Sequence, residues 1–359
     1  MAFEPDLDRI AQALPGWLRQ RHPARGAVRV DGLRRSDGGY SNLTVLADLH
    51  WAGPGEGASA PAAPQPVVLR LQTDAPSVFP DANIVRQYRV MECLAGSAVP
   101  VPRLLGLEAS PAPLGAAFFV MERVAGRVPN ENPLYHLEGW LHDLPEAQLR
   151  RHWFAGIDAI AALARLDWRA RGLDFLLPPA GVTPLAHQLE YYRRAVAWAE
   201  SLGRPYPHLH AGWRWLVEHQ PGPGPLALSW GDAKLGNCVF HDGRLAAALD
   251  WEQAALADPV DDLAWWLMLD ESLCTGYGVP RLAGLPGRDE TVAHWERASG
   301  HSAHQLAYYD VYAAWRMAYV MARIGTVFTQ RGWVPAEAQM DLRNGGATLL
   351  ALHAQRLGF

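Results

Sequence analysis

Residues Ser229 to Asp262 constrain the fold of this chain most tightly. The stretch begins Ser229-Trp230-Gly231-Asp232-Ala233-Lys234-Leu235-Gly236-Asn237 and continues into the apolar run Cys238-Val239-Phe240. A turn at His241-Asp242-Gly243-Arg244 precedes a second apolar run, Leu245 to Leu249, which ends in Asp250-Trp251-Glu252. Two short apolar runs joined by such a turn predict a β-hairpin. Antiparallel pairing would bring Asp232, Asn237 and Asp250 to one end of it. Each of these residues alone is an ordinary strand-end turn former. The three together carry a chemistry.

Phosphoryl transfer to a hydroxyl needs an acceptor for the hydroxyl proton and oxygen ligands for a Mg²⁺ on the phosphates. An Asp, an Asn five residues on and an Asp across a hairpin supply that set. Their order matches the protein-kinase catalytic loop followed by its metal-binding Asp. The stretch resembles the aminoglycoside phosphotransferase family of kinase-like enzymes, whose signature is His-Gly-Asp, four residues, Asn, then a hairpin ending in Asp. Trp230-Gly231-Asp232…Asn237…Asp250 fits it with Trp in place of His, and Ala257-Asp258-Pro259-Val260-Asp261-Asp262-Leu263-Ala264 is similar to the segment that follows.

The resemblance implies an α+β, two-lobed protein-kinase-like fold. A small sheet-rich lobe would cover residues 1–121, including a flexible loop at 52–66. A larger, mainly helical lobe would cover 122–359 and hold the catalytic loop 229–262. It implies ATP- or GTP-dependent phosphorylation of a small-molecule hydroxyl, with Asp232 as base and Mg²⁺ on Asn237 and Asp250. Glu252 is a weaker candidate for a second metal, Asp262 a structural acceptor fixing the loop, and Lys234 either a γ-phosphate contact or a solvated charge. Trp230 can donate an indole N–H but cannot accept a hydrogen bond as His does.

The remaining segments fit the same scheme. Residues 5 to 20 carry one apolar helical stripe, with Pro15 placed to split it. Ser36 to Asn42 lies between two predicted strands. A small-residue loop there can donate backbone N–H groups to phosphates, and the resemblance assigns nucleotide contacts to Gly38, Gly39, Ser41 and Asn42. It is not a Walker A loop. The strand Pro66 to Leu71 has Arg70 where kinases carry the phosphate-holding Lys. The helix at 82–95 has Gln87 where kinases place the partnering Glu. Arg70 would face the phosphates, with Gln87 within hydrogen-bond reach or one water of it. In Ala116 to Gly126 the resemblance gives backbone groups of Glu122 and Val124 to the adenine edge. Further helices are expected from the face of Trp153, Ile157, Ile160 and Ala164, and near 188–202, 263–269, 288–298, 303–328 and 335–356. Arg316 and Arg323 share one helix face, from which they could bind substrate, though pairing with buried carboxylates is the more common use.

Composition narrows the alternatives. A length of 359 residues favours two lobes, and a net charge of −5 gives no broad basic surface for nucleic acid. Cys93, Cys238 and Cys274 lie far apart, as suits a reducing cytoplasm. Leu306 to Phe328 is interrupted by Asp310, Arg316 and Arg323, which favours a buried helix over a membrane span, and the N-terminus has no secretory-leader pattern. A catalytically silent nucleotide-binding scaffold is the competing reading, favoured by Arg70, Gln87 and Trp230. A metal-dependent hydrolase is a poorer third, lacking a spaced His set. The expected partners are a nucleoside triphosphate and a small alcohol, neutral or partly apolar. Neither the acceptor nor the oligomeric state is fixed.

Overall fold

The structure is a computed structural model that describes residues 6–36, 42–52, 63–72, 78–81 and 83–359. Gly38, Gly39 and Ser41, most of the 52–66 loop and Ala82 lie outside the described residues. The chain divides into two compact units, Met1–Ala95 with Val101–Ala125, and Gly96–Pro100 with Gly126–Phe359. The sequence places the boundary at 121/122. The segment 96–100 belongs instead to the second unit, where the Pro100 carbonyl accepts the Ala248 N–H at 2.8 Å.

The first unit is a five-stranded antiparallel sheet in the order β1 (Val28–Arg35), β2 (Leu43–Trp51), β3 (Gln65–Leu71), β5 (Phe118–Glu122) and β4 (Leu104–Glu108). Helix α1 (Leu7–Arg21) buries Ile10, Leu14, Trp17 and Leu18 in a core with β-strand residues such as Val45, Leu69 and Phe118. Pro15 does not split α1. The apolar stripe on both sides of it is buried, and that packing outweighs the one backbone hydrogen bond a proline removes. Helix α2 (Ile84–Leu94) starts at Asn83, whose side chain accepts the Arg86 N–H at 2.9 Å.

The second unit is mainly helical: α3 (Glu146–Ala164), α4 (Pro184–Ser201), α5 (Pro207–Glu218), α6 (Asp261–Leu273), α7 (Arg288–Ser299), α8 (Leu306–Gln330) and α9 (Gly345–Leu357). Trp153, Trp265, Trp295 and Trp315 are fully buried among these helices. Helix α5 is not anticipated by the sequence reading. The helix expected at 335–356 begins only at Gly345, after a 3-10 turn at Ala336–Ala338, because Asn344 caps it by accepting the Ala347 N–H at 2.9 Å.

Two small antiparallel sheets complete the unit. One pairs β6 (Ala227–Ser229) with β9 (Ala255–Ala257), and the other pairs β7 (Cys238–His241) with β8 (Arg244–Ala248). The predicted hairpin is therefore present. Asp242 and Gly243 both have positive φ, 49° and 72°. A two-residue Asp-Gly turn requires that conformation at both positions. Among the described residues no helix is long and apolar enough to cross a membrane.

Candidate active site

Residues Trp230 to Asn237 form a loop between β6 and β7 whose backbone is held by buried side chains. At Gly231, φ is 83°, and a Cβ would meet the Gln253 carbonyl oxygen at 2.3 Å. Only glycine fits there. The Asp262 carboxylate accepts the Trp230 N–H at 2.7 Å on one oxygen and the Gly231 N–H at 3.0 Å on the other. The Ser229 hydroxyl lies 3.0 Å from Asp261 and 2.9 Å from Asp262. Asp262 is thus the loop-fixing acceptor the sequence suggests. Burial, then the adjoining Asp261 carboxylate, pushes its carboxyl up to about 7 against these donors.

Arg316 on α8 completes the hold. Its guanidinium donates to the Gly231 carbonyl at 2.8 Å and to Asp261 at 3.3 Å. Burial opposes its charge, but Tyr192, Tyr312 and Asp261 outweigh that and raise its pKa. Arg316 therefore pairs with a buried carboxylate, as expected. Arg323, also buried, lies over the Trp198 ring at 4.5 Å.

This loop presents the Asp232 carboxylate. Asn237 donates from Nδ2 to Asp232 Oδ2 at 2.8 Å and to the Asp232 carbonyl at 2.9 Å. That leaves the Asn237 Oδ1 as the acceptor end of its amide. Trp265 Nε1–H donates to Asp232 Oδ1 at 3.0 Å. The Lys234 ammonium lies 3.7 Å from Asp232 Oδ2 and donates to Glu131 at 3.0 Å. Burial would lower the Lys234 pKa, yet the carboxylates of Asp232, Glu131 and Asp250 overcome it and raise it. Lys234 is accordingly a half-buried cation among carboxylates, not a freely solvated one.

Asp250 follows β8 with φ of 60°. That left-handed value is uncommon for a side-chain-bearing residue and is held by its surroundings. Leu249, just before it, donates its N–H to the Asn237 carbonyl at 2.8 Å and accepts Trp230 Nε1–H at 2.7 Å. Asp250 and Asn237 are thus tied to the same end of the hairpin. Trp230 performs the tying as a donor, and stacks on Trp251 with ring centroids 5.2 Å apart. Among the described residues no group of three or more His, Cys, Asp or Glu could hold a metal unaided.

The first unit carries the other candidates. Asn42 is buried just before β2. Arg70 on β3 is buried and donates to Thr44 Oγ1 at 3.0 Å. Gln87 is buried on α2, and its Oε1 finds no hydrogen-bond partner among the described residues. The direct bond from Arg70 to the Gln87 oxygen that the sequence allows is therefore not made. The Glu122 N–H is donated to the Arg103 carbonyl at 2.8 Å, so its carbonyl is the backbone group it can offer a base.

Sequence reading missed Trp265, Glu131 and Arg316 as parts of this site. Glu131 lies 103 residues before Lys234 and Arg316 lies 85 residues after Gly231, so only the tertiary fold joins them. Trp265 carries one weak signal, its place three residues after Asp262 on the same helix.

Residues 33–301 match the phosphotransferase enzyme family. Among solved structures, a Ralstonia eutropha protein provisionally assigned as an aminoglycoside phosphotransferase aligns over 96% of this chain and 98% of its own, with 24% identity and a TM-score of 0.70. The GDP complex of aminoglycoside 2′-phosphotransferase-IIIa aligns over 96% of this chain and 99% of its own, with 13% identity and a TM-score of 0.57. At these identities the likeness is one of fold. Among curated relatives, acyl-CoA dehydrogenase family member 11 of Gallus gallus is 29% identical over 260 residues, covering 71% of this chain and 29% of the relative. The chain spans about a fifth to a third of the length of the curated relatives it matches.

Proposed function

The chain belongs to the phosphotransferase enzyme family, and we propose that it moves the γ-phosphoryl group of ATP or GTP onto a hydroxyl of a small molecule with Asp232 as base. The family match and the kinase-like fold support a small-molecule kinase with a nucleotide co-substrate. The observation that carries the finer reading is the Asp232 carboxylate, held by one donor on each oxygen beside Asn237, with Asp250 locked at the same hairpin end. In the reaction the acceptor oxygen bonds to the γ-phosphorus as the bond to the β–γ bridging oxygen breaks. The electron pair leaves with the nucleoside diphosphate, and the hydroxyl proton passes to Asp232.

The donor set fits Mg²⁺. Asn237 offers a neutral amide oxygen and Asp250 a carboxylate, and two protein ligands suffice when phosphates supply others. Bound there, the ion would neutralise charge on the phosphate oxygens. For the nucleotide, we assign the phosphates to Arg70 and to the loop of Gly38, Gly39, Ser41 and Asn42. The adenine edge goes to the Glu122 carbonyl and the Val124 N–H. The three cysteines favour a cytoplasmic setting. Buried Gln87, whose oxygen has no partner among the described residues, is the observation that favours a silent nucleotide-binding scaffold instead.

A nucleotide-consumption screen with Mg²⁺, ATP and GTP against pooled alcohols decides between the two. The pools should include neutral and partly apolar alcohols, and hydroxylated acyl thioesters because of the acyl-CoA dehydrogenase relatives. Asp232→Asn should lower turnover roughly 10²–10⁴-fold with nucleotide affinity retained, and turnover within about threefold of wild type would overturn the assignment. Asp250→Ala should abolish the Mg²⁺ dependence of nucleotide binding in a calorimetric titration.

A further inference from the structure

We infer that Trp265 is a positioning residue for the base, its indole N–H aiming the carboxylate so that Asp232 Oδ1 is the oxygen that receives the acceptor's proton. The inference rests on the reading of Asp232 as base. The two carboxylate oxygens are not equivalent. Oδ2 accepts from Asn237 Nδ2 at 2.8 Å and faces the Lys234 ammonium at 3.7 Å. Oδ1 accepts only the neutral Trp265 N–H at 3.0 Å among the described residues. A nearby cation and an amide donor stabilise negative charge on Oδ2, so a proton is more favourably placed on Oδ1. A carboxylate oxygen has two lone-pair sites, and one N–H donor leaves the second for the hydroxyl.

Trp265 is itself rigidly held. Its side chain is buried on α6, and the Arg316 guanidinium lies over its ring at 4.5 Å. The same guanidinium binds the Gly231 carbonyl, one residue before Asp232. One cation therefore braces both the backbone that carries the base and the ring that aims it. A buried indole N–H usually finds an acceptor, and any main-chain carbonyl would satisfy it. In this chain the acceptor is the carboxylate assigned to the chemistry. The proton step balances simply: the acceptor O–H bond breaks as the O–P bond forms, and the proton is taken by Oδ1 and later released to water.

The test replaces Trp265 with its benzothienylalanine isostere, which keeps the ring and deletes the N–H, alongside Trp265→Phe. Turnover of MgATP is followed with the alcohol the screen selects and with water. The isostere should lower kcat about 10- to 100-fold, the range for a hydrogen bond to a charged group, with KM for MgATP unchanged. In the Asp232→Asn background it should cause no further loss. A merely structural role would leave kcat untouched, or lower stability and raise KM together, and either result overturns the inference. Indole ¹⁵N–¹H spectra give a reading independent of any acceptor. The Trp265 resonance, assigned by its absence in Trp265→Phe, should move in Asp232→Asn, and no movement overturns the inference. If Asp232→Asn turns over within about threefold of the wild-type rate, the base assignment fails. If Asp232→Asn is inert and the isostere works at the wild-type rate, only the role of Trp265 fails.

Discussion

In the helical unit the chain places Trp230 where the family signature has His, and in the sheet unit it places Gln87 where kinases have Glu. The two departures meet different surroundings. Trp230 donates to the Leu249 carbonyl, and through Leu249 fixes both Asn237 and Asp250. Gln87 is buried with an amide oxygen that finds no partner among the described residues. The loop from Trp230 to Asn237 thus accommodates Trp230 because many bonds over-determine its path. Gln87, by contrast, has one amide oxygen with no hydrogen-bond partner among the described residues. A motif residue is replaceable where its role is to supply one bond in a dense network.

That contrast can be broken first at Arg316. It binds the Gly231 carbonyl and pairs with buried Asp261. Arg316→Met leaves an unpaired buried carboxylate and should destabilise the second unit by ~3–5 kcal/mol in chemical denaturation. Adding Asp261→Asn should return part of the loss, since the stranded charge is then gone.

Asp262 gives the next largest effect, one that depends on pH. Its folded-state pKa is pushed up to about 7, above the ordinary value of 3.8. Folding therefore takes up a proton between about pH 4 and about pH 7, and this group's stabilisation is lost as pH rises through that window. Asp262→Asn cannot titrate and faces the loop N–H groups with one acceptor fewer. It should be less stable than wild type by ~1–3 kcal/mol at about pH 5, with the gap narrowing towards about pH 8. Urea midpoints at the two pH values provide the measurement. A gap that stays the same at the two pH values would mean that Asp262 is ionised throughout and held by its donors.

Trp230 itself comes next. Trp230→Phe keeps a ring against Trp251 but strands the Leu249 carbonyl, and should cost ~1–3 kcal/mol in the same urea titration. Trp230→His restores a donor and should lose less. Equal losses would show that the stack, not the hydrogen bond, is what Trp230 contributes.

Local chemistry makes much of this legible in advance. The Asp-Gly turn, the strand runs and the Asp232–Asn237 spacing follow from short-range rules, and the hairpin stands where they put it. The Asp262 hold is legible because it lies next to a recognised segment. Trp265 is not, since nothing in a sequence with 15 tryptophans tells a core indole from one aimed at a carboxylate. Arg316 can be placed on a buried face but not matched to Gly231, because side-chain pairing across the fold has no sequence period. Pro15 misleads in the opposite way: a local rule is overridden by the burial of a whole helix face.

The smallest expected effect is the sharpest test of the sheet side. Gln87 is 3% exposed, and its Oε1 has no partner among the described residues. A buried polar atom without a bond loses its hydration and gains nothing in return. Replacing such a group by an apolar one of similar shape is near neutral or stabilising. Gln87→Met, which keeps the unbranched shape, should therefore leave stability within ~0.5 kcal/mol of wild type or raise it by up to ~1–2 kcal/mol. Gln87→Glu should do worse, because an ionised carboxylate would be buried without the hydrogen bond to Arg70 that alone would justify it. Arg70 donates to Thr44 Oγ1 at 3.0 Å, a bond that does not involve position 87. MgATP affinity should accordingly be the same in wild type and Gln87→Met. A loss of affinity in Gln87→Met, or a gain of stability in Gln87→Glu, would mean that Gln87 still positions Arg70, and the contrast with Trp230 would disappear.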